Sequence, residues 1–239
     1  MIFFLQPMRM LPLLLSIGLA TCAQAQEKEE NAVPKKPTVE QLSDTQFRLG
    51  TIEFNSETRE IRFPGVLNMN RGILEYVLVH VNGKDHESLF TTEISPTDLN
   101  VVLKLLRYKD GDGKLFHGFY PPGELPELEP LGDGIDLFAT WPGSIENPVY
   151  ELIRDERGDS AMKPLPWIYN GSEIVNGRFE AEYEGSFFAI YRDPLALFNT
   201  QHPRATDDEN WFPITANIPA METPITIILK PSVHKAVQE

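Results

Sequence analysis

The sequence predicts an α+β fold, a mainly antiparallel sheet with two short helices packed on it. Three observations carry this expectation. Strand-length segments alternate apolar and polar residues, as in QFRLGTIEF (46–54) and REIRFPGV (59–66). An Asn82-Gly83 dipeptide, which readily supplies the positive φ angles of a two-residue hairpin turn, follows the apolar run GILEYVLVHV (72–81). Helical spacing is clearest at Leu99, Val102, Leu103 and Leu106, behind the capping pattern Ser95-Pro96-Thr97-Asp98.

In chain order, the apolar run Leu11 to Ala20 is too short to cross a bilayer. With Arg9 before it and Ala23-Gln24-Ala25 behind, residues 1–25 read as a secretory signal peptide. A competing reading takes Leu19-Ala20-Thr21-Cys22 as a lipoprotein box with Cys22 acylated, although threonine is unusual just before such a cysteine. Residues 26–43 are charged and proline-bearing, without an apolar period, and read as a flexible tether. A single domain spans 44–231, and 232–239 is a polar tail.

Within the domain, Asn55-Ser56-Glu57-Thr58 joins the first two strands as a hairpin. If Asn82-Gly83 is a second hairpin turn, Lys84 to Glu93 returns antiparallel to 72–81. Alternation then places His86 and Ser88 on the apolar face, while Asp85 and Glu87 point the other way with His80. Residues 107–134, rich in glycine and proline, form a long loop. Further strands are expected at 135–141, 149–154, 167–170, 178–183, 187–191 and 225–229, with a second helix opening at Asp193-Pro194. SLFTTEISPTDL (88–99) and SFFAIYRDPLAL (186–197) echo one another, each preceded by a glutamate, Glu87 and Glu184. The echo reflects either two pseudo-repeated β-β-α halves or the common look of a strand running into a proline-capped helix.

Composition narrows the function. Thirty-five acidic residues against 21 basic ones give a formal charge of −14, a surface that repels phosphate backbones and anionic lipid, so nucleic acid is not an expected partner. Cys22 is the only cysteine, which removes disulfides, thiolate metal sites and iron–sulfur clusters from the mature chain. The histidines at 80, 86, 117, 202 and 234 never fall at helical zinc spacing. No cofactor and no metal are expected.

The candidate catalytic residues are Asp85, His86, Glu87 and Glu184, which could supply a general acid and base. A core histidine satisfied by Ser88 is the structural alternative for His86. Asp110-Gly111-Asp112-Gly113-Lys114 starts like a calcium loop, but Lys114 and Pro121 stand where oxygen ligands belong, so it reads as a glycine-rich turn. Candidate ligand-binding residues are Trp167, Asn170, Ser172 and Ser186: the tryptophan as a stacking surface or ordinary core, the others as hydrogen-bonding groups or turn caps.

The segments KDHESLFTTEISPTDLNVVLKLL, IRFPGVLNMNRGILEYVLVHVNGK and PWIYNGSEIVNGRFEAEYEGSFFAIYRDPLALFN together resemble the YdjY-domain proteins, exported bacterial proteins common in planctomycetes and their relatives. The resemblance covers about residues 45–231, with His86-Glu87-Ser88 and the W-x-Y-x-G-S…E-G-S…D-P pair its more specific parts. It implies location and fold continuity and carries over no catalytic residue. The expected function is therefore an exported cell-envelope or periplasmic module that binds an unknown protein or small-molecule ligand without catalysis, touching the membrane only if Cys22 is lipidated. The alternative is a hydrolase or lyase using Glu87, His86 and Glu184 as acid and base.

Overall fold

The structure, a computed structural model, describes residues 38–113 and 131–233. The signal peptide, most of the tether, Cys22, Lys114, Pro121 and most of the tail lie outside the described residues. The N-terminal strands are β1 (Val39–Gln41), β2 (Gln46–Leu49), β3 (Ile52–Asn55), β4 (Ile61–Leu67), β5 (Tyr76–His80) and β6 (Ser88–Thr92), followed by α1 (Pro96–Leu105). Next come β7 (Gly134–Thr140), β8 (Asn147–Pro148), β9 (Ile153–Asp155), β10 (Ser160–Ala161), β11 (Trp167–Tyr169), β12 (Ile174–Val175) and β13 (Arg178–Phe179). The chain continues with α2 (Glu180–Glu184), β14 (Ser186–Ala189), β15 (Phe198–Thr200), β16 (Trp211–Pro213) and β17 (Pro224–Pro231).

The sheet closes on itself, and this corrects the predicted fold class. Strands run β4-β17-β7-β11-β15-β14-β5-β6 and return from β6 to β4, a closed eight-stranded barrel instead of an open α+β sheet. Closure leaves the ring itself without a free edge, while β3, β2 and β1 extend the sheet outward from β4. β17 is the longest barrel strand and pairs along its length with both β4 and β7. The return seam is short, Val66 opposite Thr91 and Leu67 opposite Phe90. Gly65 beside it lets the strands approach, because a Cβ there would lie 3.0 Å from the Thr91 carbonyl oxygen.

Two neighbouring pairs, β5–β6 and β14–β15, are parallel, so the expected hairpin at Asn82-Gly83 does not form. Neither residue has a positive φ. Instead the His80 ring nitrogen Nδ1 accepts the Asn82 N–H at 3.1 Å, and Gly83 N–H bonds the His80 carbonyl at 2.7 Å. Gly83 then presses on α2, where a Cβ would lie 3.0 Å from the Glu184 carbonyl oxygen. Residues 81–87 carry the chain back along β5 and β6 begins parallel to it. The Asn-Gly hairpin of this protein is at Asn176-Gly177, φ 52° and 79°, between β12 and β13.

Among the described residues only one helix reaches two turns. α1 forms as its cap foretold, with the Ser95 hydroxyl oxygen accepting from Asp98 N–H at 3.2 Å. Leu99, Val102 and Leu103 enter the main core. Arg59 Nε donates to the Leu106 carbonyl at 3.0 Å and the Tyr169 hydroxyl donates to Asn100, tying α1 across the barrel end where β4 begins and β11 stops. The second helix is not at Asp193-Pro194, where the Asp193 carboxylate takes Leu195 N–H in a turn, but at Glu180–Glu184. The echoing segments contribute β6 and β14, which flank β5 on either side, so the domain is not two β-β-α halves.

Candidate functional site

Asp85, His86 and Glu87 form a single 3-10 turn in the connection from β5 to β6. The parallel connection overturns the burial expected for His86: its side chain is 76% exposed, with ring nitrogens 3.8 Å from Asp85 and 3.9 Å from Glu87, too far for hydrogen bonds. Ser88 is buried and spends its hydroxyl on the Phe90 carbonyl at 2.9 Å. Glu184 ends α2, and Gly185 behind it accepts His80 N–H at 2.7 Å, whereas the Glu87 carbonyl takes Glu75 N–H at 2.9 Å. The backbones of the two glutamates thus attach to opposite ends of β5, roughly 16 Å apart at about 3.3 Å per residue.

Near the Asp85–Glu87 turn is a constellation the sequence reading missed. Tyr76 is buried under both parallel connections. Its hydroxyl donates to Asp193 Oδ2 at 2.8 Å and accepts from Lys84 Nζ at 2.7 Å. Burial, then the Asp193 charge, pushes the phenol well above its ordinary range, so Tyr76 is a neutral clamp between 81–87 and 190–197. Glu75, half-buried, has its carboxyl pushed up by burial and then by Glu87.

Three of the four predicted ligand-binding residues have structural duties. Trp167 is buried between β7 and β15, edge-on to Phe188 at 5.7 Å. Asn170 donates to the Ala196 carbonyl at 2.9 Å and accepts from Asn199 at 2.8 Å, holding the 193–197 turn. Ser186 is buried opposite Val79, its hydroxyl without a partner among the described residues. Ser172 donates to the Leu195 carbonyl and accepts Ala181 N–H at 2.9 Å, yet it also lines a groove.

That groove, of about 610 Å³, runs beside α1 and falls in the size range of small-ligand sites. Thr97, Asn100 and Lys104 of α1 form one wall; Asp110, Asp112 and Glu173, with Ile174 and Phe179, form the other. Two glycine loops interlock beneath it. Gly113 N–H bonds the Asn170 carbonyl at 2.8 Å, and a Cβ on Gly171, at φ 87°, would lie 2.7 Å from Asp110 Cβ. Lys104 pairs with Asp110, while Asp112 and Glu173 have no ion pair among the described residues. Among the described residues the Asn100 amide nitrogen has no partner, because Tyr169 occupies only its oxygen. Among the described residues the lining offers donors, acceptors and an apolar flank but no histidine, and the Ser172 hydroxyl is already doubly bonded. Such a wall can bind and orient a polar ligand.

A second, more open depression of about 530 Å³ at the other end of the barrel is lined by Asn68, Met69, Asn70, Arg71, Thr215 and Met221. No curated protein and no solved structure matches the chain. Residues 52–230 match the family model of the YdjY domain.

Proposed function

The chain belongs to the YdjY-domain family, and from that membership and the groove beside α1 we propose an exported, non-catalytic module that binds a small polar ligand or a partner segment in the cell envelope. The groove lining carries the reading, since among the described residues it combines uncommitted polar groups with an apolar flank and holds no histidine. Export is supported by the apolar run Leu11 to Ala20 and Ala23-Gln24-Ala25. The strongly acidic composition argues against nucleic acid.

The test is a ligand screen by thermal shift on the mature chain, using amino acids, polyamines, short peptides and oligosaccharides as probes. A stabilising probe should lose its effect in Asn100→Leu and keep it in Arg71→Ala, on the opposite end of the barrel. A probe insensitive to Asn100→Leu would move the site elsewhere. Fractionation should find the mature chain in a soluble extracytoplasmic pool; membrane retention lost in Cys22→Ala would make it a lipoprotein.

A hydrolase or lyase is the second reading. What favours it is the half-buried Glu75, raised by burial and by Glu87, beside Lys84 and His86. Turnover abolished by Glu87→Gln in a hydrolase panel would establish it in place of the binding reading.

A further inference from the structure

Residues 201–210 cross from β15 to β16 as a strap held on one buried carboxylate. Asp155 of β9, 2% exposed, accepts from Arg204 Nη1 at 2.5 Å, Asn210 Nδ2 at 2.9 Å and Gly158 N–H at 3.0 Å. His202 is fully buried against this cluster, its ring edge-on to Trp211 at 4.6 Å and its Nε2 3.6 Å from Asp155 Oδ2. Its Nδ1 accepts the Arg204 N–H at 3.1 Å, which fixes the proton of the neutral ring on Nε2. The charged groups facing the ring are Asp155 from β9, Arg204 from the strap itself and Lys163 from the segment before β11.

We propose that this strap is an acid-released latch: His202 can take a proton only on Nδ1, and doing so ejects the Arg204 N–H that closes the turn. Protonation puts a donor against a donor and a second cation beside Arg204, inside the protein. The turn from His202 to Ala205, closed by Ala205 N–H on the His202 carbonyl at 2.9 Å, must open to relieve it. Opening lifts Arg204 from Asp155. It also frees Arg192 N–H, which the Ala205 carbonyl holds at 2.7 Å next to Asp193. From Asp193 the chain runs to Leu195 and Ala196, whose carbonyls hold Ser172 and Asn170 under the groove. If the groove binds ligand as proposed above, acid therefore weakens that binding; the latch itself does not depend on that reading.

Burial holds the closed-state His202 down to about 4 against an ordinary value of 6.5. The opened strap therefore binds more protons than the closed one as pH falls below 6.5, and the bias is complete below about 4. By proton linkage, opening at pH 4.5 should be favoured on the order of fiftyfold over pH 7.

Hydrogen–deuterium exchange on the mature chain at pH 7, 5.5 and 4.5, corrected for intrinsic exchange, reads this directly. The amides of Arg192, Arg204 and Ala205 should lose protection by about that factor while those of β17 hold. In His202→Asn, whose side-chain oxygen can accept the Arg204 N–H but does not titrate, the strap should stay protected. Equal loosening in that variant, or simultaneous loss in the strap and β17, overturns the proposal. Should His202→Asn fail to fold, the imidazole 15N shifts of the wild-type protein decide. Nδ1 must gain its proton in step with strap exchange, and a ring titrating near 6.5 with the strap still protected overturns the latch.

Discussion

At the scale of single residues, the charged groups of this protein differ greatly in what they contribute. Arg48 and Glu40 pair at 2.6 Å in the open, and such pairs are worth little. Asp155 is buried under three donors that lose their acceptor together if it is removed. Asp155→Ala should therefore cost about 3–5 kcal/mol in urea unfolding, and Glu40→Ala should stay within about 0.5 kcal/mol. A small loss for Asp155→Ala would mean that the strap is not anchored there. None of this was legible in the sequence, because Asp155, His202 and Asn210 are separated along the chain and no local spacing links them. Asp110, Asn170 and Ser172 read as turn-forming residues in the sequence, yet Asn170 and Ser172 spend their side chains on the carbonyls of Ala196 and Leu195 instead. That their loops interlock into a groove is a property of packing alone.

At the scale of elements, local chemistry was the readable part. Ser95-Pro96-Thr97-Asp98 starts α1 where the sequence places it, since a helix cap is settled by neighbours in sequence. The same end receives a cap from outside: Glu182 of α2 accepts from the Ser95 hydroxyl at 2.7 Å and from Thr97 N–H at 2.9 Å. Burial opposes the charge, but those two hydrogen bonds prevail and hold the Glu182 carboxyl below its ordinary value. Its folded value being depressed, the stabilisation is present above the unfolded carboxylate value, near 4.5, and is lost as pH falls below that. Glu182→Gln should thus cost stability at pH 7, about 1 kcal/mol as for other lost helix caps, and nearly nothing at pH 3 in the same melts. An equal cost at both would show that packing, not charge, is at stake. Asn82-Gly83 was misread for the opposite reason. The dipeptide permits a hairpin, but contact with Glu184 and Gly185 decides its conformation, and those residues are remote in sequence.

At the scale of the whole molecule, alternation identified most strands, yet period-two patterns look alike in an open sheet and a closed one. What closes the barrel is pairing between chain segments far apart, Ile61 with Leu229 and Val66 with Thr91. At the narrow return seam a Cβ on Gly65 would lie 3.0 Å from the Thr91 carbonyl oxygen. Gly65→Val should cost about 1–3 kcal/mol through overpacking against Thr91, Ile225 and Ile227, with faster amide exchange at the β4–β6 seam than at β4–β17. Uniform exchange along β4 would show that the seam is not a separate weak line.

The place of β17 also sets an order of events in time. It is the last described strand, yet it lies between β4 and β7, so the ring cannot form until residues 224–231 are free to insert. Contacts of such long sequence separation are made late and slowly, because loop-closure entropy must be overcome before they contribute. A chain threading through a narrow pore, N-terminus first, would emerge without a finished barrel to jam it, and would complete its hydrogen-bonded ring only on the far side, when its final strand arrives.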